Sequence, residues 1–395
     1  MQNRYQYVKI KGEPKRFFCL QQNPFFLACL LFFSKNTLQP HSDEDGVNKR
    51  SLHQMINRLQ AYFSSTRTNL LKVGSFVKHK YHFNNSDEMV ELPFYGQFCI
   101  LVNKGHKILD LSRNVAIKVY RSDVDVSTIT NELDRLKNGS LFDFAPSIRK
   151  WSIEDRWYEE DYISGTLEYS FKPLDTSLLM NKFSRDVIPC LERLIAFRSP
   201  VLAPCSEYVN GIKNSLSNGG MLSQVTDGEI TRKIWAFIDC ISERILVVGK
   251  NPVCLVLSHG DFCPANMLNT SHGLRIIDWE SATSRSALFD YYSYFFFRPL
   301  HQNLSVEECC TEIKLTLPIF LSKLGITVSD VTQILQASDA MYRRLFYLER
   351  IAMLIERQKY DTKLNVLGNI SKYIDVFNRY EEISSDLVAD HVTVN

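Results

Sequence analysis

The chain has 395 residues, with 46 Lys and Arg against 44 Asp and Glu, a net charge of +2, 45% hydrophobic and 23% charged residues. That length is too great for one small core and suits two lobes, while the composition excludes a disordered chain and a collagen-like or coiled-coil fibre. The balanced charge excludes a track for nucleic acid and a polybasic membrane patch, so an anionic ligand must be held locally.

Residues 1–80 read as a partly helical N-terminal extension. Asn23 as N-cap and Pro24 at the first helical position open a short helix through "PFFLACLLFF", apolar all round and therefore expected to be buried. Its ten residues fall short of the roughly 20 that span a bilayer, and no cleavage pattern of small residues follows it as in a secretory signal. Contact of residues 24–33 with a membrane surface stays open as an alternative. A polar break, "QPHSDEDG", precedes an expected amphipathic helix around 47–63 with Leu52, Met55, Ile56, Leu59 and Phe63 on one side.

From about residue 90 the hydrophobic period shortens. "FCILVNKG", "HKILDLS" and "NVAIKVY" are β-branched and aromatic runs separated by turn-like clusters, which predicts an antiparallel meander. A helix follows, opened by Asp123 to Ser127 and carrying Ile129, Leu133 and Leu136, and then two strands, "IRKWSI" and "RWYEEDYIS", joined at Glu154-Asp155. Residues 81–165 therefore read as a small antiparallel-sheet lobe. Helices predominate over 166–395. A capping box, Thr226 and Glu229, opens a core helix at 228–247 with Ile234, Phe237, Ile238, Ile241 and Ile245 on one face. One long helix is expected over about 330–357, with Met341, Leu345, Leu348, Ala352 and Ile355 at helical spacing, and a last one over about 366–382. The ten cysteines form no C-x-x-C pair and have no histidines at zinc spacing, so they read as reduced thiols of a cytoplasmic protein. Cys263 reads as a small buried filler.

The stretch "LSHGDFCPANMLNTSHGLRIIDWESA", residues 257–282, crowds His259, Asp261, Asn266, Asp278 and Glu280 between short oily runs. "VCLVL" leads into it as a strand, and "GLRIIDWE" is a second short strand ending in acids. A hairpin of the two is expected to bring Asp261, Asn266 and Asp278 together as hard oxygen donors of the kind magnesium prefers. The alternative is a metal-free surface turn.

H-G-D-x4-N followed by I-D-W-E resembles the catalytic and metal-binding loops of the aminoglycoside phosphotransferase and choline kinase superfamily, distant relatives of protein kinases. The resemblance covers about residues 90–300. It implies an α+β, two-lobed protein-kinase-like fold with an antiparallel-sheet N-lobe and a mainly helical C-lobe, and it implies ATP and Mg2+ as cofactors. By the same resemblance Asp261 orients or deprotonates the attacking hydroxyl, His259 supports the catalytic loop, and Asn266 and Asp278 hold magnesium. Phosphoryl transfer also needs a cation on the nucleotide phosphates. Lys118 in "VAIKVY" shares a strand face with Ala116 and Tyr120, opposite Ile117 and Val119, and Glu132 on the next helix is the carboxylate expected to anchor it. Backbone groups of Asp161, Tyr162 and Ile163 would receive adenine. Asp290 either braces the catalytic-loop backbone or caps its own helix. No G-x-G-x-x-G is present, and Gly96 is the nearest candidate for the phosphate loop. A role for Glu280 toward substrate or a second metal is open.

The expected activity is ATP- and magnesium-dependent phosphorylation of a hydroxyl on a small polar molecule: a sugar or glycan precursor, an amino alcohol or an aminoglycoside. The alternatives are a catalytically inactive kinase-like binding module and a protein kinase, the latter disfavoured because no activation loop ending in A-P-E follows "IDWE".

Overall fold

The computed structural model describes residues 4–10, 16–33, 69–81, 89–167, 176–218, 228–249, 251–302, 304–327, 329–358 and 366–392. The chain divides into two compact units, one of residues Met1–Leu167 with Leu268–Ile277, the other of Glu168–Met267 with Asp278–Asn395.

The first unit is built on an eight-stranded antiparallel sheet. Its strands are β1 (Tyr5–Lys9), β2 (Arg16–Cys19), β3 (Met89–Leu92), β4 (Phe98–Val102), β5 (Gly105–Asp110), β6 (Val115–Tyr120), β7 (Ile148–Ser152) and β8 (Trp157–Asp161), in the order β3-β1-β2-β4-β5-β6-β8-β7. The meander and the two later strands lie where the sequence places them, with helix α3 (Val126–Gly139) between β6 and β7. The N-terminal residues do more than extend the lobe. β1 and β2 carry the sheet outward from β4, with Phe17 opposite Cys99 and Tyr7 opposite Cys19. Alternate residues serve two cores: Tyr7, Phe17, Cys99, Ile108 and Ile117 form one, and Val8, Phe18 and Phe98 join Leu27 and Phe76 in the other. Runs of four and five residues, "RFFC" and "YQYVK", are too short for a period-two pattern to stand out from the sequence.

Helix α1 (Pro24–Phe33) has the expected cap, the Phe25 N–H donating to Asn23 Oδ1 at 2.8 Å. It is not buried all round. Leu27 is fully enclosed while Phe25 is 76% exposed, because one face of the helix packs on the sheet. A second helix, α2 (69–81), sends Asn69 Nδ2 to the Leu31 carbonyl at 3.0 Å. Among the described residues no helix is long and apolar enough to cross a membrane. The amphipathic helix expected around 47–63 and Thr226 lie outside the described residues.

Strand β9 (Thr166–Leu167) closes a small sheet of this unit with the hairpin β12 (Met267–Thr270) and β13 (Gly273–Ile276), in the order β13-β12-β9. The second unit is mainly helical: α4 (Thr176–Lys182), α5 (Ile188–Ala196), α6 (Cys205–Asn218), α7 (Gly228–Val248), α8 (Phe289–His301), α9 (Val306–Thr327), α10 (Ser329–Ala337), α11 (Asp339–Gln358) and α12 (Val366–Val392). A three-stranded sheet crosses it, β10 (Val201–Ala203), β11 (Val253–Ser258) and β14 (Thr283–Ser286), with β11 central. The α+β, two-unit architecture is thus the expected one.

Helix α7 buries the predicted stripe Ile234, Phe237, Ile238, Ile241 and Ile245. The single helix expected over 330–357 is two, α10 and α11, broken at Ser338, whose carbonyl accepts from the N–H groups of Met341 and Tyr342 as a new first turn. The apolar spacing runs through this break, so periodicity alone does not reveal it.

Candidate functional site

Strand β11 ends at Ser258 and the chain turns through His259-Gly260-Asp261. Gly260 has φ of +82°, a conformation L side chains rarely adopt, and a Cβ there would run into the Ser281 carbonyl oxygen. A buried carboxylate holds the turn. Asp290, in the first turn of α8, accepts from the His259 N–H at 2.7 Å, from Ser258 Oγ at 2.9 Å and from the Gly260 N–H at 3.1 Å. Burial pushes its pKa up to about 6, although all three donors pull it down. It is therefore largely ionised at neutral pH and able to accept from all of them. Leu288 occupies the N-cap of α8 without a side-chain bond, so Asp290 is a brace and not a cap.

His259 is fully buried. Its Nδ1 accepts from the Asp261 N–H at 3.2 Å, and its ring lies edge-on to Trp279 at 4.7 Å between centroids. The histidine is thereby tied to its own loop and to the segment after Asp278. Asn266 closes the loop, its Nδ2 donating to the Asp261 carbonyl at 2.9 Å.

The expected hairpin differs from the one that forms. β11 pairs with β10 and β14, and β13 lies beside β12 instead. The reason is local: Thr270 Oγ1 donates to the Gly273 carbonyl at 2.8 Å across the tight turn at Ser271-His272, so the nearest strand wins the pairing. Asn266 and Asp278 stand just outside the two strands of this hairpin, at its same end. Asp278 is exposed and adopts a left-handed conformation, φ 69° and ψ 57°, which Asp tolerates better than most residues. That bend turns the chain into Trp279, against His259.

A second buried carboxylate fixes the frame. Glu349 on α11 accepts from the Ser286 N–H at 2.9 Å, from Ser286 Oγ at 2.6 Å and from the Tyr208 hydroxyl; burial raises its pKa. The next residue, Arg350, places Nη1 3.1 Å from Asp261 Oδ1 and 3.4 Å from the Gly260 carbonyl, and Nη2 3.3 Å from the Tyr373 hydroxyl. Sequence reasoning missed Arg350 because 89 positions separate it from Asp261 and nothing in "YLERIAML" marks one charged residue above another.

In the first unit Lys118 is 1% exposed and its Nζ lies 2.5 Å from Glu132 Oε1. Glu132 is equally buried and takes two further donors, Tyr120 Oη at 2.8 Å and Lys104 Nζ at 2.8 Å on its other oxygen. Lys118 and Tyr120 share a strand face, while Ile117 lies in the core on the other. Lys104 sits in the β4–β5 turn, where a lysine reads as ordinary turn polarity, so no pattern in the chain singles it out. In "YEEDYISG" Glu159 pairs with Arg113 at 2.9 Å and Glu160 with Lys107 at 2.6 Å, both carboxylates buried. Among the backbone groups of Asp161, Tyr162 and Ile163, two N–H groups are used within the protein, Asp161 to the Ser147 carbonyl and Tyr162 to the Asn114 carbonyl, each at 3.0 Å. Asp161 itself pairs with Arg149 at 2.7 Å. Gly96 is pressed on the β5 backbone, 2.7 Å from the Leu109 carbonyl oxygen to a Cβ placed there, so it serves packing within the sheet.

Among the described residues no group of three or more His, Cys, Asp or Glu side chains is placed to hold a metal ion. A closed protein cage is therefore not what the loop offers. Asn266 commits its amide nitrogen to the Asp261 carbonyl, which leaves Oδ1 as an oxygen of the hard type that suits magnesium, and the Asp278 carboxylate is of the same type. That ion typically takes one or two protein oxygens and fills its shell with phosphate and water.

No family model matches the chain, and no curated protein matches it. Similar solved structures include a choline kinase from Streptococcus pneumoniae, with 14% identity, TM-score 0.45, covering 71% of this chain and 91% of that chain. An ethanolamine kinase from Plasmodium vivax has 12% identity and TM-score 0.45, covering 85% and 95%. An aminoglycoside phosphotransferase from Streptomyces rimosus has 11% identity and TM-score 0.36, covering 61% and 89%.

Proposed function

We propose that the protein is a phosphotransferase that moves the terminal phosphoryl group of magnesium-bound ATP to a hydroxyl of a small polar molecule, in the class of sugars or glycan precursors, amino alcohols and aminoglycosides. The observation that carries this reading is the brace of Asp290 on the Ser258 hydroxyl and the His259 and Gly260 N–H groups, which holds Asp261 at a fixed place on a loop. Phosphoryl transfer is catalysed mainly by positioning and charge stabilisation, so a carboxylate on an over-determined turn suits it.

In this reading Asp261 orients the acceptor hydroxyl and takes its proton. Arg350 on Oδ1 fixes the orientation of the carboxylate, and Oδ2, 3.4 Å from Asn266 Nδ2, is the oxygen that meets the hydroxyl. Asn266 and Asp278 hold magnesium, which when bound supplies charge neutralisation on the phosphates. His259, buried and bonded to its own loop, supports the turn and does not exchange protons with substrate. Lys118, fixed by Glu132 within the sheet unit, meets the nucleotide phosphates, and backbone groups of Asp161, Tyr162 and Ile163 other than the two N–H groups used within the protein receive adenine.

Incubation of the purified protein with terminally labelled ATP, magnesium and fractionated cell metabolites tests the assignment. Transfer of label to a metabolite is expected. Asp261→Asn should abolish transfer and leave nucleotide affinity largely intact, whereas Asp278→Ala should weaken magnesium-nucleotide binding by calorimetry. Turnover retained in the first variant, or affinity unchanged in the second, removes the corresponding role.

A further inference from the structure

The surroundings of Asp261 carry more than its own role. Arg350 is nearly enclosed, with 9% of its side chain exposed, yet its guanidinium has five N–H donors and bonds three acceptors: Asp261 Oδ1, the Gly260 carbonyl and the Tyr373 hydroxyl. Among the described residues Nε and one Nη2 hydrogen are left over. The guanidinium also lies over the Tyr373 ring, 5.6 Å from its centroid.

Two more cationic or ionisable groups flank the same spot. His301, at the end of α8, has Nε2 3.3 Å from the Tyr373 hydroxyl, and Lys372, the neighbour of Tyr373 on α12, donates to the Leu300 carbonyl. Burial, Arg350 and Lys372 all lower the His301 pKa, and Asp261 raises it by less. The charges that act on His301 thus include two cations, Arg350 and Lys372, and one carboxylate, Asp261.

We infer that the hydroxyl presented to Asp261 belongs to an anionic acceptor, one bearing a phosphate or carboxylate group near that hydroxyl, and that Arg350 with Lys372 at the rim selects it. This rests on the phosphotransferase reading of the site. A planar guanidinium with spare donors matches a carboxylate or phosphate edge. The same group repels an ammonium or aminoglycoside amine brought to the same place, so it discriminates by exclusion as well as by attraction. Asp261, already matched by Arg350, offers a cationic acceptor little uncompensated charge.

The test uses the full chain with terminally labelled ATP and magnesium, and metabolites separated beforehand by charge into anionic, neutral and cationic pools. Label is expected in the anionic pool. Label entering the cationic or neutral pool instead overturns the inference, and would turn attention to Glu280 as the partner of an amine. Absence of label from every pool counts against phosphoryl transfer itself. Charge selection is then decided by binding, titrating glucose 6-phosphate, gluconate and glucosamine in the presence of magnesium and a non-hydrolysable ATP analogue. The two anions separate a phosphate preference from a carboxylate one. At least one should bind about tenfold or more tightly than glucosamine, with that preference lost in Arg350→Gln. Equal or inverted affinities, including no binding of any probe, overturn the inference, as does a preference unchanged in the variant. Should Arg350→Gln fail to fold, exposed Lys372→Ala serves: a weakened anion preference supports the inference, and an unchanged one overturns it.

Discussion

Replacing Asp290 with asparagine keeps the shape of the brace and removes its charge. In the parent, one carboxylate receives two backbone N–H groups and a hydroxyl. The single amide oxygen of the variant can serve either the His259 N–H or the Gly260 side, and the NH2 group then faces a donor on the other. The Gly260 N–H already donates to Ser258 Oγ at 3.0 Å, so with the amide oxygen on the His259 N–H every backbone donor keeps an acceptor and the loss is that of the charge-assisted bonds. Charge-assisted bonds contribute about 1.5–3 kcal/mol each against about 0.5–1.5 kcal/mol for neutral ones, so Asp290→Asn should destabilise by about 1–3 kcal/mol. Urea unfolding followed by far-UV circular dichroism measures this through the midpoint, at unchanged slope. The pH dependence gives a second signature. The Asp290 pKa stands at about 6 in the folded protein, above its ordinary value, so the folded state binds the extra proton between about pH 4 and 6. The stability this group contributes is complete below the unfolded pKa and is lost as pH rises through about 6. Asparagine does not titrate, so the gap between parent and variant should widen by up to about 3 kcal/mol from pH 7 to pH 4. A variant within about 0.5 kcal/mol of the parent at pH 7, with a parallel pH curve, would refute the brace.

Glu132→Ala strands Lys118, Lys104 and the Tyr120 hydroxyl around an empty site and should cost about 3–5 kcal/mol. Lys118→Met leaves Glu132 with two partners and should cost less in urea unfolding; the reverse order would show that Glu132 is not the hub. Gly260→Ala combines a positive φ with a collision against the Ser281 carbonyl, so a loss of about 2 kcal/mol or more is expected in thermal unfolding. Cys263 is buried with its thiol pushed up to about 12, whereas Cys240 is exposed. Under native conditions at pH 8 a thiol reagent should modify Cys240 and spare Cys263, and mass spectrometry of the peptides decides it.

Local features of this protein were legible in its residue order. Period-two runs marked the meander β4–β6, the 3.6-residue stripe marked α7, and the spacing of His259, Asp261 and Asn266 put three polar side chains on one short turn, because each depends on neighbours a few positions away. Long-range packing settled the remainder. It recruited β1 and β2 into the sheet, turned Asp290 from a possible cap into a brace, paired β13 with β12, and set Arg350 on Asp261 from 89 positions downstream. Those outcomes depend on which buried donor meets which acceptor once the helices pack. A charged residue on an isolated helix carries no mark of the partner it will find there.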